Sequence, residues 1–213
     1  MLETRTKRPK KKPTGQYHHG DLRHALVEAT LAIVEREGTG AVSLSAAARR
    51  VGVSPQASYN HFRDKGELLA VAAEEAIREV TEEMRAARET ETRPGERFEA
   101  TGIAYVRFAQ RNVAKFRLLA APELADKSMH PGLVAAYEEA FSVIVACVDE
   151  CQRAGLVRRD GARKLAVAAW ATVHGVACLA ADGLLAATHI EGAPIDVTRD
   201  AMRALFKGLR TPK

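Results

Sequence analysis

Apolar residues recur at three- and four-residue intervals along most of the chain, and strand-type runs of Val, Ile and Thr are missing. Leu22, Ala25, Leu26, Ala29, Ile33 and Val34 mark a first helix, opened by an Asp21 cap and broken at Gly38 and Gly40. Ser43 opens a short second helix, LSAAARRV, that stops at Gly52. Ser54 followed by Pro55 starts a third, because a hydroxyl can cap the helix and proline at the first helical position lacks only an N–H that needs no partner. This third helix ends near Phe62. Asp64 with Glu67 three residues later predicts a capping box for a fourth helix running to about Arg88. The segment ETETRPGE (89–96) breaks the pattern. Beyond it the spacing predicts helices at 95–112, 113–121, 131–154, 161–187 and 196–209, with loops at ADKSMHPG and IEGAPI. The expected fold class is all-α, with about nine helices.

One run stands out within this pattern. Between Lys164 and Asp182 no residue is charged. A bilayer span needs about 20 strongly apolar residues. This run is shorter, is rich in Ala, and contains Thr172, His174 and Gly175, so no membrane partner is expected. A helix apolar all round must be covered on more than one side. Its own core covers one side, and a second copy of the chain is the simplest cover for the other. The last helix adds Val197, Ala201, Ala204, Leu205 and Leu209 on one face, with Arg199, Arg203 and Lys207 elsewhere. A homodimer through the last two helices is therefore expected.

Composition changes this picture little. Of 213 residues, 46% are apolar, enough for a core, and 5% are aromatic. Ala, Leu, Glu and Arg are strong helix formers. Charge changes it more. Six of the 32 basic residues, Arg5, Lys7, Arg8, Lys10, Lys11 and Lys12, and one of the 27 acidic residues fall in the first twenty positions. The formal charge of +5 thus resides there, and the remainder is balanced. Such a block reads as a solvated tail or as an arm that tracks nucleic-acid phosphates. The three cysteines, Cys147, Cys151 and Cys178, read as small buried hydrophobes in a reducing, cytoplasmic setting. No metal-ligand spacing joins them, and neither metal nor cofactor is expected.

Two short helices joined across Gly52 form a helix-turn-helix pattern. A left-handed glycine lets the chain reverse within three or four residues, and Ala47 and Ala48 keep the first helix slim. The second helix then offers Gln56, Ala57, Tyr59, Asn60 and His61. An α-helix fits the DNA major groove; Gln can pair with adenine and Ala can touch a thymine methyl. Tyr59, His61 and Lys65 are phosphate-type donors that position without reading sequence. Ser43 can do the same from the preceding helix, and the helix end beside Ser54 favours an anion. By spacing alone, a helical corner with a polar surface stays open beside this reading.

The stretch VSLSAAARRVGVSPQASYNHFRDKGELL resembles the N-terminal signature of the TetR family of transcriptional regulators. There a GVS turn leads into a recognition helix, a Tyr-x-His/Tyr-Phe cluster, and a Lys before an apolar helix. The resemblance covers about residues 20 to 70. It implies a three-helix DNA-binding head (21–66) behind the basic arm (1–20), a linking helix (65–88), and a larger effector-binding and dimerising body (89–213). It carries Ser43, Ser45, Gln56, Ala57, Tyr59, Asn60, His61 and Lys65 onto DNA-contacting places. Two positions depart from it: Gly66 stands where Glu is frequent, and Ser58 where a larger apolar residue is frequent. Trp170, His174 and Gly175, in AWATVHGVACL, resemble a Trp-His-Gly pattern of one branch of the family. Trp170 and His174 share a helical face, either as core or as the border of an effector pocket. Phe108, Phe116, Tyr137 and Phe141 are further candidates for that wall.

The expected function is a ligand-responsive, sequence-specific regulator, a repressor by the family's habit, acting as a homodimer on a palindromic double-stranded DNA operator with an unknown small-molecule effector. A transcriptional activator and a non-specific nucleoid-type binder remain as alternatives. So do a pure dimeric interaction module and an enzyme. For the last, His174 and Cys178 lie four residues apart, but no orienting third residue or phosphate loop is apparent.

Overall fold

The structure, a computed structural model, describes residues 19–188 and 192–210. Among the described residues there are ten α-helices, three short 3-10 turns and no strand. The helices are α1 (His19–Glu37), α2 (Leu44–Val51), α3 (Pro55–Tyr59), α4 (Lys65–Glu89), α5 (Pro94–Arg111), α6 (Val113–Leu118), α7 (Pro131–Arg153), α8 (Ala162–Ala181), α9 (Leu184–Ala187) and α10 (Pro194–Leu209). The all-α expectation is met.

Three caps form as the sequence implies. Ser43 Oγ accepts from Ala46 N at 3.0 Å, Ser54 Oγ from Ala57 N at 3.4 Å, and Asp64 Oδ1 from Glu67 N at 2.8 Å. The capping box at Asp64 is altered. Glu67 turns its carboxylate to the N–H and guanidinium of Arg63, at 2.9 and 3.0 Å, one residue upstream of the expected partner. Three boundaries also move. The first helix starts at His19, ahead of Asp21. The last starts at Pro194, where Asp196 reaches back to the N–H of Ala193 at 3.1 Å. The helix expected over 161–187 breaks at Asp182–Gly183, because Gly183 takes a left-handed conformation (φ 71°) that ends α8 and restarts the chain as α9.

Two apolar cores organise the helices. One joins α1, α2, Phe62 and the first half of α4. The other joins the second half of α4 to α5, α7, α8 and α10. Helix α4 runs through both. The first core also takes in Leu118, Ala121, Leu124, Leu133 and Ala136, so the segment from α6 to the start of α7 packs against the small N-terminal helices. By length and composition α7 and α8 could each cross a bilayer. Both pack within the second core.

Candidate nucleic-acid interface and internal cavities

Helix α2 ends where Gly52 adopts φ 83° and ψ 26°, its N–H returning to the carbonyls of Ala48 and Arg49. That left-handed turn aims α3 away from α2. Helix α3 itself spans five residues and ends at Tyr59, short of the expected boundary near Phe62. The chain stays turned beyond it, with His61 N and Phe62 N both donating to Ser58 O at 3.0 and 3.1 Å. Phe62, 1% exposed, is the anchor, and the Arg23 guanidinium lies 4.9 Å from its ring centroid.

This packing leaves Ser43, Ser45, Ser54, Gln56, Tyr59 and Asn60 exposed, with Ala57, His61 and Lys65 half-buried. Tyr59 is 53% exposed, unusual for a large aromatic side chain in a small helical unit. The oxygens of Ser43 and Ser54 already accept one capping bond each, which leaves the O–H and one lone pair to offer outward. Lys65 is engaged: its Nζ lies 3.0 Å from Glu123 Oε1, in the 3-10 turn Pro122–Leu124. Arg49 and Arg50 are also exposed, at the last turn of α2, and the motif does not mark them out. The arm residues Arg5, Lys7, Arg8, Lys10, Lys11 and Lys12 lie outside the described residues.

Two adjoining cavities, both partly open to solvent, lie against the second core. The larger, about 600 Å³, lies between α4, α7 and α8, against Ile77, Met84, Phe141, Val167 and Trp170. Among the described residues its charged lining groups are Glu138 and Arg163, both well exposed, paired at 3.2 Å, with Arg163 also over the Phe141 ring. The smaller, about 370 Å³, is bounded by Phe116, Arg117, His174, Cys178 and Asp182. Tyr105, Leu119, Tyr137 and Trp170 wall both. Of the six candidate wall residues, five border a cavity: Phe116 and His174 the smaller, Phe141 the larger, Tyr137 and Trp170 both. Phe108, fully buried, packs in the core away from them. Tyr105 and Met84 carried no sequence signal, since at helical spacing a cavity wall and a filled core look alike.

A polar chain crosses the shared wall. Tyr105 Oη lies 2.8 Å from His174 Nδ1, and Cys178 Sγ lies 3.5 Å from His174 Nε2. Burial pushes the pKa of His174 below its ordinary value and that of Tyr105 far above it, so the imidazole and the phenol are both neutral at pH 7. Burial, with Asp182, raises Cys178 as well, which keeps its sulfur a thiol and not a nucleophilic thiolate. Cys147 and Cys151 are fully buried, as the sequence implies, whereas Cys178 is half-buried at the cavity.

Similarity to known proteins agrees with this architecture. Residues 26–72 match the family model for bacterial regulatory proteins of the tetR family. Residues 98–206, just over half the chain, match the tetracyclin repressor-like C-terminal domain. A solved protein of unknown function from Rhodococcus sp. RHA1 is 32% identical, with 93% of this chain and 100% of that one aligned at a TM-score of 0.79. The fatty acid degradation regulator FadR from Bacillus halodurans shares the fold at 14% identity, with 94% and 100% of the chains covered and a TM-score of 0.70. The HTH-type transcriptional regulator BetI of Rhizobium meliloti (strain 1021) is 35% identical over 78 residues, 37% of this chain, and the match spans 38% of BetI's own length. The chain belongs to the TetR family of bacterial regulatory proteins.

Proposed function

We propose that this TetR-family protein is a homodimeric, cytoplasmic repressor that binds a palindromic operator and releases it when a small apolar effector enters the body. Residues 21–66 form the DNA-binding head, α4 links it to the body at 89–213, and residues 1–20 add phosphate or minor-groove contacts. The observation that carries the reading is the Gly52 turn. It holds a capped helix whose Gln56, Tyr59 and Asn60 stay exposed while Phe62 is buried. Gln56 and Ala57 read base edges, and Tyr59, His61, Ser43 and Ser45 hold phosphates.

The roomy, largely apolar cavity of about 600 Å³ is of the size that holds a drug-sized ligand. Such a ligand acts only if it binds two head spacings with different affinity. Dimerisation through α8 and α10 is supported by apolar side chains left in solvent at the end of α8 and on α9, Leu179 (39%) and Leu184 (51%). Dimer symmetry predicts heads one or more DNA turns, about 34–36 Å each, apart.

Selection of genomic fragments by the purified protein tests the reading. Recovery of a shared inverted repeat, bound far more tightly than random DNA at physiological salt, is the expected result. Uniform recovery points to a nucleoid-type binder, and no recovery removes DNA from the account.

A further inference from the structure

The wall between the two cavities carries more chemistry than an apolar pocket needs. Among the described residues the Tyr105 hydroxyl has one hydrogen-bond partner, His174 Nδ1. A half-buried phenolic O–H left without an acceptor is costly, so its proton goes to Nδ1, at 2.8 Å. A neutral imidazole carries one N–H, and with Nδ1 accepting, that proton sits on Nε2. Nε2–H faces the smaller cavity, where its neighbour is the Cys178 sulfur at 3.5 Å, a weak acceptor. A half-buried donor next to open volume, with only a thiol opposite, is left short of a good partner.

Charge narrows what that partner is. Arg117, the cation bordering the smaller cavity, is engaged by Asp182 Oδ1 at 3.1 Å and by the Ala181 carbonyl at 3.0 Å. The other group facing the site is the Tyr137 hydroxyl, which donates to Leu119 O at 3.2 Å. A carboxylate placed against His174 would therefore meet no free positive charge, and an ammonium would meet an N–H donor. An uncharged carbonyl oxygen meets neither penalty.

We infer that His174 Nε2–H is a binding subsite for the uncharged carbonyl group of an effector (a ketone, ester, lactone or amide) whose apolar body fills the larger cavity. Tyr105 is the positioning residue that sets the imidazole tautomer. This inference rests on the effector-pocket reading above. It gives the His of the Trp-x-x-x-His spacing a physical purpose: the indole and imidazole lie on one face with centroids 5.7 Å apart, and Tyr105, 69 residues from His174, bonds the imidazole there.

The test uses the full chain and three probes of matched length: octane, 2-octanone and octanoate. Trp170 is the only tryptophan, so its emission reports binding directly. The informative quantity is the ratio of 2-octanone to octane affinity, compared between wild type and variants. That ratio is expected to fall about 3- to 10-fold in His174→Phe and in Tyr105→Phe, and to recover in part in His174→Gln, which keeps an N–H. Tyr105→Phe removes only an oxygen, so it keeps the test open should His174→Phe fail to fold. Side-chain 15N NMR of the imidazole is expected to show the Nε2–H tautomer in wild type and a mixture in Tyr105→Phe. Octane binding with an unchanged ratio, octanoate favoured over 2-octanone, or an Nδ1–H tautomer each overturns the inference while leaving the pocket intact. Failure of all three probes to bind overturns the pocket reading and this inference with it.

Discussion

Ser58 sits fully buried at a place where the family resemblance leads one to expect a larger apolar side chain. Its hydroxyl is not orphaned, because it donates to the Pro55 carbonyl at 2.7 Å within its own turn. The smaller volume is thus compensated by a local bond. Gly66 shows the same local accommodation: a Cβ there would come within 3.2 Å of Asp64 Oδ1, the atom that caps α4. At Gly52 the requirement is the backbone itself. With φ at 83° an alanine is strained, so Gly52→Ala is expected to cost about 1 kcal/mol, read as a lowered midpoint in urea unfolding. An unchanged midpoint would mean that the turn relaxes.

His174 makes a second prediction at this scale. Burial depresses its folded pKa, so below its ordinary value of about 6.5 the unfolded chain binds more protons than the folded one. The stabilisation is present above that value and is lost as pH falls through the folded pKa. Glu67, Glu123 and Glu150, whose pKa values are lowered, titrate below this window. Between pH 7.5 and 5.5 the wild type should therefore lose more thermal stability than His174→Gln. Parallel curves would place the imidazole in solvent-like surroundings.

Among the elements, α5, α8 and α10 meet closely at Gly102. A Cβ at Gly102 would overlap the Met202 sulfur and press on Val173 Cγ1. Glycine is required there by contact, not by dihedral angle. Gly102→Val is expected to destabilise the body by about 1–3 kcal/mol through overpacking. Chemical denaturation measures this loss, and a neutral result would show that Met202 swings away freely. At this scale the sequence was legible where a signal is local. The caps at Ser43, Ser54 and Asp64, and the turn at Gly52, each act within four residues. The break at Gly183 was hidden because the apolar spacing carries on through Leu184 and Leu185, whereas a glycine turn shows only in the dihedral angle.

Across the whole molecule, the segment from α6 to the start of α7 belongs to the N-terminal core while its Leu119 walls both cavities. The Lys65–Glu123 ion pair joins the same two parts at the surface. If Lys65 holds a phosphate in the DNA complex, Glu123 competes with that phosphate. Glu123→Gln is then expected to raise operator affinity up to about fivefold, matching an exposed pair of about 1 kcal/mol at most, and Lys65→Met should abolish the gain. A gain that persists in the double variant would trace to net charge alone. Deleting residues 1–14 should flatten the salt dependence of binding, each lost phosphate contact removing up to about 0.9 from the log–log slope. An unchanged slope would make the arm a bystander.

By itself the sequence determined the helical class, the turn at Gly52, its caps and the placement of charge in the first twenty residues, because each depends on neighbours within a few positions. Only the tertiary structure decided where the second core stays unfilled. Phe108 and Phe116 carry the same pattern, yet one is packed solid and the other faces a cavity. Only folding brings Tyr105 to His174. Cavities and hydrogen bonds between distant helices arise from how whole helices cross, and no local spacing of residues encodes that angle.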